Sequence, residues 1–162
     1  ERTFQFFSET NGTPMALLRL NYAHDLRYGV FVDVAQQLLA GEPVDISTGH
    51  VNIVWLADAN AMTLRALEHC RAPAQIINVT GAETVNVRTA AEQLAVALGL
   101  TAEFAGEEEA TALLSNATVG QELLGAPEVP AEQVIRWTAD WVGNDRPLLN
   151  KPTKFQVRDG KY

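Results

Sequence analysis

Two stretches of this chain constrain it most: residues 14–21 (PMALLRLN) and 74–79 (AQIINV), both apolar with hardly a break. A strand with one wet face alternates, whereas a run apolar on both sides belongs to a sheet covered on both faces, typically a parallel one. Parallel neighbours need a crossover of a dozen or more residues. The intervening chain has helical spacing at 30–40 (VFVDVAQQLLA), which stops at Gly41. It has it again at 58–70 (DANAMTLRALEHC), opened by Asp58 as N-cap and ended before Pro73. The expectation is two parallel strands joined by a long crossover, with a small α/β lobe inserted.

The other segments fit around that pair. Residues 1–12 read as the end of a helix, with Phe4 and Phe7 on one face and Asn11-Gly12 as its stop. Residues 41–56 hold two strand-like runs around Thr48-Gly49, a hairpin candidate. Asn86 suits the cap of a helix over 87–98 that ends at Gly99, and 101–106 reads as a short strand. Residues 107–116 have no clear period. Two helices close the pattern, the second behind Pro130, with Trp137 and Trp141 on one face as core residues. The division that follows is 1–29 (helix end, strand and ligand-side loop), 30–72 (crossover helix, hairpin, helix), 73–99 (last sheet strand and helix), 100–142 (substrate lobe) and 143–162 (basic tail).

Charge narrows the function classes. The formal net charge of −8 argues against a nucleic-acid surface. All lysines lie in the tail (Lys151, Lys154, Lys161), so the last segment carries about +3 and the rest about −11. The simplest reading is a solvated tail docked on its own acidic body. No apolar run approaches the roughly 20 residues that span a bilayer, and no leader-like segment is seen, which points to the cytoplasm. The chain opens at Glu1, as a processed product or a fragment would. Cys70, the only cysteine, sits in an apolar helical pattern and reads as a small core residue. The three histidines are too scattered for a metal site.

Three stretches invite a chemical reading. INVTGAETVNVRT (77–89) runs strand, glycine, helix, as phosphate loops do, but it has one glycine, followed by Glu83. The junction therefore reads as structural. Ligands of open parallel sheets sit beyond the carboxyl ends of the strands. NYAHDLRYG (21–29) is in that position and concentrates Asn21, Tyr22, His24, Asp25, Arg27 and Tyr28. It fits a ligand loop and an ordinary polar loop with an Asp25–Arg27 contact equally well. In GHVNIVW (49–55), alternation puts His50, Asn52 and Val54 on one face and Val51, Ile53 and Trp55 on a core face. His50 and Asn52 then face either a cleft or plain solvent.

These pieces, in this order, resemble the C-terminal half of the extended short-chain dehydrogenase/reductases, the NAD-dependent epimerase/dehydratase family. ERTFQFFSETNGTPMALLRLNYA is similar to the family helix after the catalytic Tyr-x-x-x-Lys and the next sheet strand. LLAGEPVDIS and VNIVWLADANAMTLRAL resemble the following segments, with Leu56 and Asp58 on a family Val and Asp. INVTGAETVNVRTAAEQLAVALG and LLSNATVGQELLGAPEVPAEQVIRWTADWV resemble the last two. The resemblance implies an α/β fold: the C-terminal part of a Rossmann-like parallel sheet plus a small α/β substrate-binding lobe. It implies NAD or NADP in the complete enzyme, a sugar or nucleotide-sugar substrate, and a missing N-terminal nucleotide-binding half; a homodimer stays open. It puts Asn21 and Tyr22 near the cofactor, and His24, Arg27, His50 and Asn52 in the substrate pocket.

The chain departs from the family in what it lacks. It has neither the glycine-rich cofactor loop nor the catalytic Ser/Thr, and Tyr22, Tyr28 and Tyr162 have no lysine four residues on. No catalytic residue is therefore assigned, and no tight cofactor binding is expected of this chain alone. The loop after the first strand lacks the family's Tyr-Gly-Pro. His50 and Asn52 stand where many members carry a phosphate-binding arginine. The competing expectation is a free-standing, non-catalytic module that binds a small ligand or a protein.

Overall fold

The computed structural model describes residues 1–157; Arg158, Lys161 and Tyr162 lie outside the described residues. Helix α1 (Arg2–Asn11) leads into β1 (Ala16–Leu20) and the short β2 (Ala23–His24). Next come α2 (Val30–Ala40), β3 (Val44–Asp45), β4 (His50–Val51) and β5 (Val54–Trp55). Helix α3 (Leu56–Arg65) tightens into a 3-10 turn (Ala66–His69). After it come β6 (Gln75–Val79), β7 (Val85–Asn86), α4 (Val87–Leu98), β8 (Phe104–Ala105), α5 (Thr118–Leu124) and α6 (Ala131–Gly143).

The two apolar runs pair as parallel strands, β1 beside β6, in register from Ala16 opposite Gln75 to Leu20 opposite Val79. The backbone N–H of Asn21 continues the ladder to the Val79 carbonyl at 3.1 Å. One face of this pair is covered: Ile77 and Val79 are fully buried with Val54, Met62 and Leu124. Among the described residues neither strand has a second partner. Leu20 is 56% exposed, and Phe4, Phe6 and Phe7 of α1 also face outward.

A larger core lies between α2, α4 and α6, with Val34, Leu38, Leu94, Val134 and Ile135 at its centre. Sequence spacing placed these helices correctly. The Asn86 side chain accepts from the Thr89 N–H at 2.9 Å and caps α4, whose end at Gly99 takes the left-handed φ of 70°.

Several expectations are corrected. Thr48-Gly49 closes no hairpin: β3 pairs in parallel with β8, while β4 pairs antiparallel with β7. The two runs are too short to bury a face together, and each finds a longer-range partner. Asp58 does not cap α3. The helix starts a turn earlier, and Asp58 Oδ2 accepts from the Val129 N–H at 2.9 Å, tying α3 to the segment before α6. Cys70 is exposed, because the 3-10 turn rotates it off the face that helical spacing assigned.

Two further corrections concern α6 and the tail. Trp137 is 37% exposed and lies against Trp55 with ring centroids 5.4 Å apart. Trp141 is half-buried, its indole N–H donating to the Pro147 carbonyl. The core between α4 and α6 is filled by smaller groups, among them Ala91, Ala95 and Ala139, which let the helices approach closely. The described part of the tail docks through an apolar anchor and hydrogen bonds. Phe155 is buried in the helical core. The Thr153 N–H and hydroxyl both donate to Asp33 Oδ2, at 2.7 and 2.6 Å.

Candidate functional site

A cleft of about 250 Å³ opens beyond the carboxyl end of β1, walled by Leu20, Tyr22, Tyr28, Gly29, Val30 and Thr153. It is where the topology of a parallel sheet puts a ligand. Tyr22 holds a left-handed φ of 42°, uncommon for a bulky residue. That turn swings the chain out of β1 into β2, which pairs in parallel with β5. Strain of this kind persists only where the surroundings enforce it and is frequent at ligand sites. Thr153 brings the tail into the wall, and Lys151 Nζ lies 5.7 Å from the Tyr28 ring centroid. The tail had no periodicity to reveal this.

His24, expected to line the substrate pocket, is instead 1% exposed and supports the cleft from beneath. Its Nε2 accepts from the Phe31 backbone N–H at 3.2 Å, satisfying a donor in the first turn of α2. The proton of the neutral ring therefore sits on Nδ1, which has no partner among the described residues. Burial pushes the imidazole down to about 4, against the pull of Asp25 toward the charged form. Gly29 is obligatory beside it: a Cβ there would sit 2.4 Å from the ring.

Arg27 is exposed and forms a two-pronged pair with Asp25 at 2.8 and 3.0 Å. The pair holds the Asp25 carboxyl below its ordinary range. The arginine stands at the loop with its charge already matched.

Asn52 is the hub of the region and is buried. Its Oδ1 accepts from Asn21 Nδ2 at 2.9 Å and from the Ser115 N–H at 3.3 Å. Its Nδ2 donates to the Ser115 carbonyl at 2.8 Å and the Gly81 carbonyl at 3.4 Å. One amide thus joins the end of β1, the turn after β6 and the segment before α5. Strand alternation misplaced it. The chain breaks between β4 and β5, so residues 51–54 are all buried, Val54 included. Ser115, which lacks any sequence pattern, was missed.

His50 is held elsewhere. It lies opposite Asn86 across β4 and β7, with Asn86 Nδ2 3.5 Å from its Nε2. Asn86 also donates to Glu108, which pairs with Arg88 at 3.0 Å. The structure brings Asn21 and Asn52 into contact and groups Asp25 with Arg27, while His50 belongs to this second polar cluster. Gly81, in the phosphate-loop-like stretch, has a packing role: a Cβ would meet the Ile53 carbonyl at 2.0 Å. Among the described residues no group of His, Cys, Asp and Glu could hold a metal ion. No helix among them is long and apolar enough to cross a membrane.

No protein-family model matches the chain, and no curated protein does. Solved structures do match. A UDP-galactose 4-epimerase superposes with a TM-score of 0.69 at 22% identity, over 90% of this chain and 50% of its own. The UDP-glucuronic acid 4-epimerase from Bacillus cereus, solved with NAD, gives 0.72 at 18% identity, over 87% and 47%. A dTDP-glucose 4,6-dehydratase from Bacillus anthracis, also with NAD, gives 0.72 at 16%, over 89% and 49%. The chain therefore has the Rossmann-like α/β fold of the extended epimerase/dehydratase enzymes and spans about half the length of the solved chains it matches.

Proposed function

We propose that this chain is the substrate-binding half of an NAD(P)-dependent sugar, or sugar-like, epimerase, dehydratase or reductase. The observation that carries this is the β1–β6 pair. It is a fragment of parallel sheet with one face covered and no further strand beside it among the described residues, and a cleft opens at its carboxyl end. A covered parallel sheet needs neighbours on its flanks, and a dinucleotide-binding half would supply them. In this reading Asn21 and Tyr22 meet the nicotinamide end of the cofactor and Arg27 approaches the substrate, while His50 stays in its own cluster with Asn86. His24 and Asn52 hold the walls. The cofactor would supply hydride transfer; the general acid/base, absent from this chain, would come from the other half.

The test is to express the chain with whatever is encoded directly upstream and follow NADH fluorescence. The full protein is expected to bind NADH, and Asn21→Ala to weaken binding about tenfold, equivalent to about 1.4 kcal/mol. An upstream frame that encodes no dinucleotide-binding half would leave the free-standing module as the better account.

A further inference from the structure

After α6 the described chain runs without helix or strand, yet it is pinned at two points. The Leu149 N–H donates to the Arg27 carbonyl at 3.0 Å. Phe155 is buried, and its carbonyl accepts from the Thr48 hydroxyl at 3.2 Å. Between these pins residues 150–154 pass beside the cleft beyond β1. Thr153 is in the cleft wall, and Lys151 lies against the ring of Tyr28, another wall residue. Asn150, Lys151, Pro152 and Lys154 are exposed. The two ends of the stretch, Asn150 and Lys154, hold left-handed φ angles of 51° and 55°. Among the described residues, the hydrogen bonds that tie this stretch to the rest of the fold both end on one atom. Asp33 Oδ2 accepts from the Thr153 N–H at 2.7 Å and from its hydroxyl at 2.6 Å.

We propose that residues 150–154 are a flap latched by Asp33: seated, it completes the cleft wall, and with the latch undone it turns on Asn150 and Lys154 and opens the cleft. Residues other than glycine are disfavoured in the left-handed region, so both ends can absorb a change of direction, as hinge positions do. The pins at Leu149 and Phe155 stay in place meanwhile, which confines the motion to the stretch between them. Asp33 stands in the first turn of α2, and the Gly29 cap and Val30 of that helix line the same cleft. Latch and wall therefore share one element. Hydrogen bonds to an ionised acceptor are the stronger kind. Burial pushes the Asp33 carboxyl above its ordinary range, and the two Thr153 bonds pull it back. Opening strands a half-buried carboxylate until water reaches it, so the flap favours the seated state. Such a flap admits a ligand and then shields it from water. Its parts all lie in this chain, so it serves a part-enzyme and a free-standing module alike.

The experiment uses the ¹⁵N-labelled protein, this chain with whatever is encoded directly upstream. Amide hydrogen exchange at Thr153 reads the latch. Relaxation of the Gly29 and Val30 amides by a soluble gadolinium chelate reads access to the cleft. Asp33→Asn, which keeps the shape and removes the charge, is expected to speed exchange at Thr153 about tenfold and roughly to double the chelate effect at Gly29 and Val30, with Leu94 of the α4 core unchanged. Thr153→Val should act the same way by a smaller factor, and Thr153→Ser, which keeps the hydroxyl, should match the parent. Unchanged exchange at Thr153 in Asp33→Asn overturns the latch. Faster exchange there with no change at Gly29 and Val30 overturns the flap, leaving a tie on the surface. Equal acceleration at Leu94 overturns both, since Asp33 would then only stabilise the whole fold. None of these results touches the cofactor question, which NADH fluorescence decides separately.

Discussion

The helical body and the strand pair of this molecule are built to different degrees of completeness. Between α2, α4 and α6 the core is sealed: Ala35, Ala91, Leu94 and Val134 are essentially without exposure, and even the tail contributes Phe155. At β1 and β6, Ile77 and Val79 are buried on one face while Leu20 and the phenylalanines of α1 stand open. The same kind of apolar sequence underlies both. One region supplies all its own neighbours, and the other supplies only some. An exposed apolar patch of this kind usually marks a surface meant to be covered, and under the proposed function it is where a dinucleotide-binding half would sit.

That contrast can be broken at four places. Phe155→Ala should cost about 4 kcal/mol in urea unfolding, the range of a large aromatic lost from a closed core; a cost under about 0.5 kcal/mol would make the tail an ornament. His24 gives a pH signature. Its folded value of about 4 lies below its ordinary 6.5, so between these the unfolded chain binds a proton that the folded chain does not. Stability should be flat above about pH 6.5 and fall toward pH 4 by roughly 3 kcal/mol. His24→Gln, which keeps an acceptor without titrating, should flatten that window relative to the parent. Equal slopes in both proteins would remove the buried imidazole as the cause.

Asn52→Ala should cost about 2 kcal/mol by stranding buried groups of Gly81 and Ser115. Thermal unfolding followed at Trp55 and Trp137 would report it, and an unaltered midpoint would mean that the two regions are not coupled through this amide. Leu20→Ser should change the stability of the isolated chain by less than about 0.5 kcal/mol. With a dinucleotide-binding half present, as proposed, the same change should cost more. Equal small effects in both settings would show that the open flank stays open.

Much of the fold was readable from residue spacing because its causes are local or periodic. The α2 and α4 stripes, the Asn86 cap, the stops at Gly41 and Gly99, and the apolar β1 and β6 runs each announce themselves within a few residues. Errors came where a short element chose a distant partner. Two-residue strands carry too little pattern to say that β3 seeks β8, or that β4 seeks β7. Of the site, the loop at 21–29 was legible from its position after a strand. The inward turn of His24 was not, since the donor it meets is exposed only once the first turn of α2 has formed; nor were the hub at Asn52 and the entry of Thr153, which depend on hydrogen bonds between residues far apart in the chain.

By itself the sequence determined the main helices, the two long apolar strands and that β1 and β6 run parallel, since local propensity and apolar period act over a turn or a few strand residues. Tertiary structure alone decided which polar groups are buried. A histidine or asparagine goes inside only when partners from elsewhere satisfy it, and Phe31, Gly81 and Ser115 reach those two side chains only once the chain has folded.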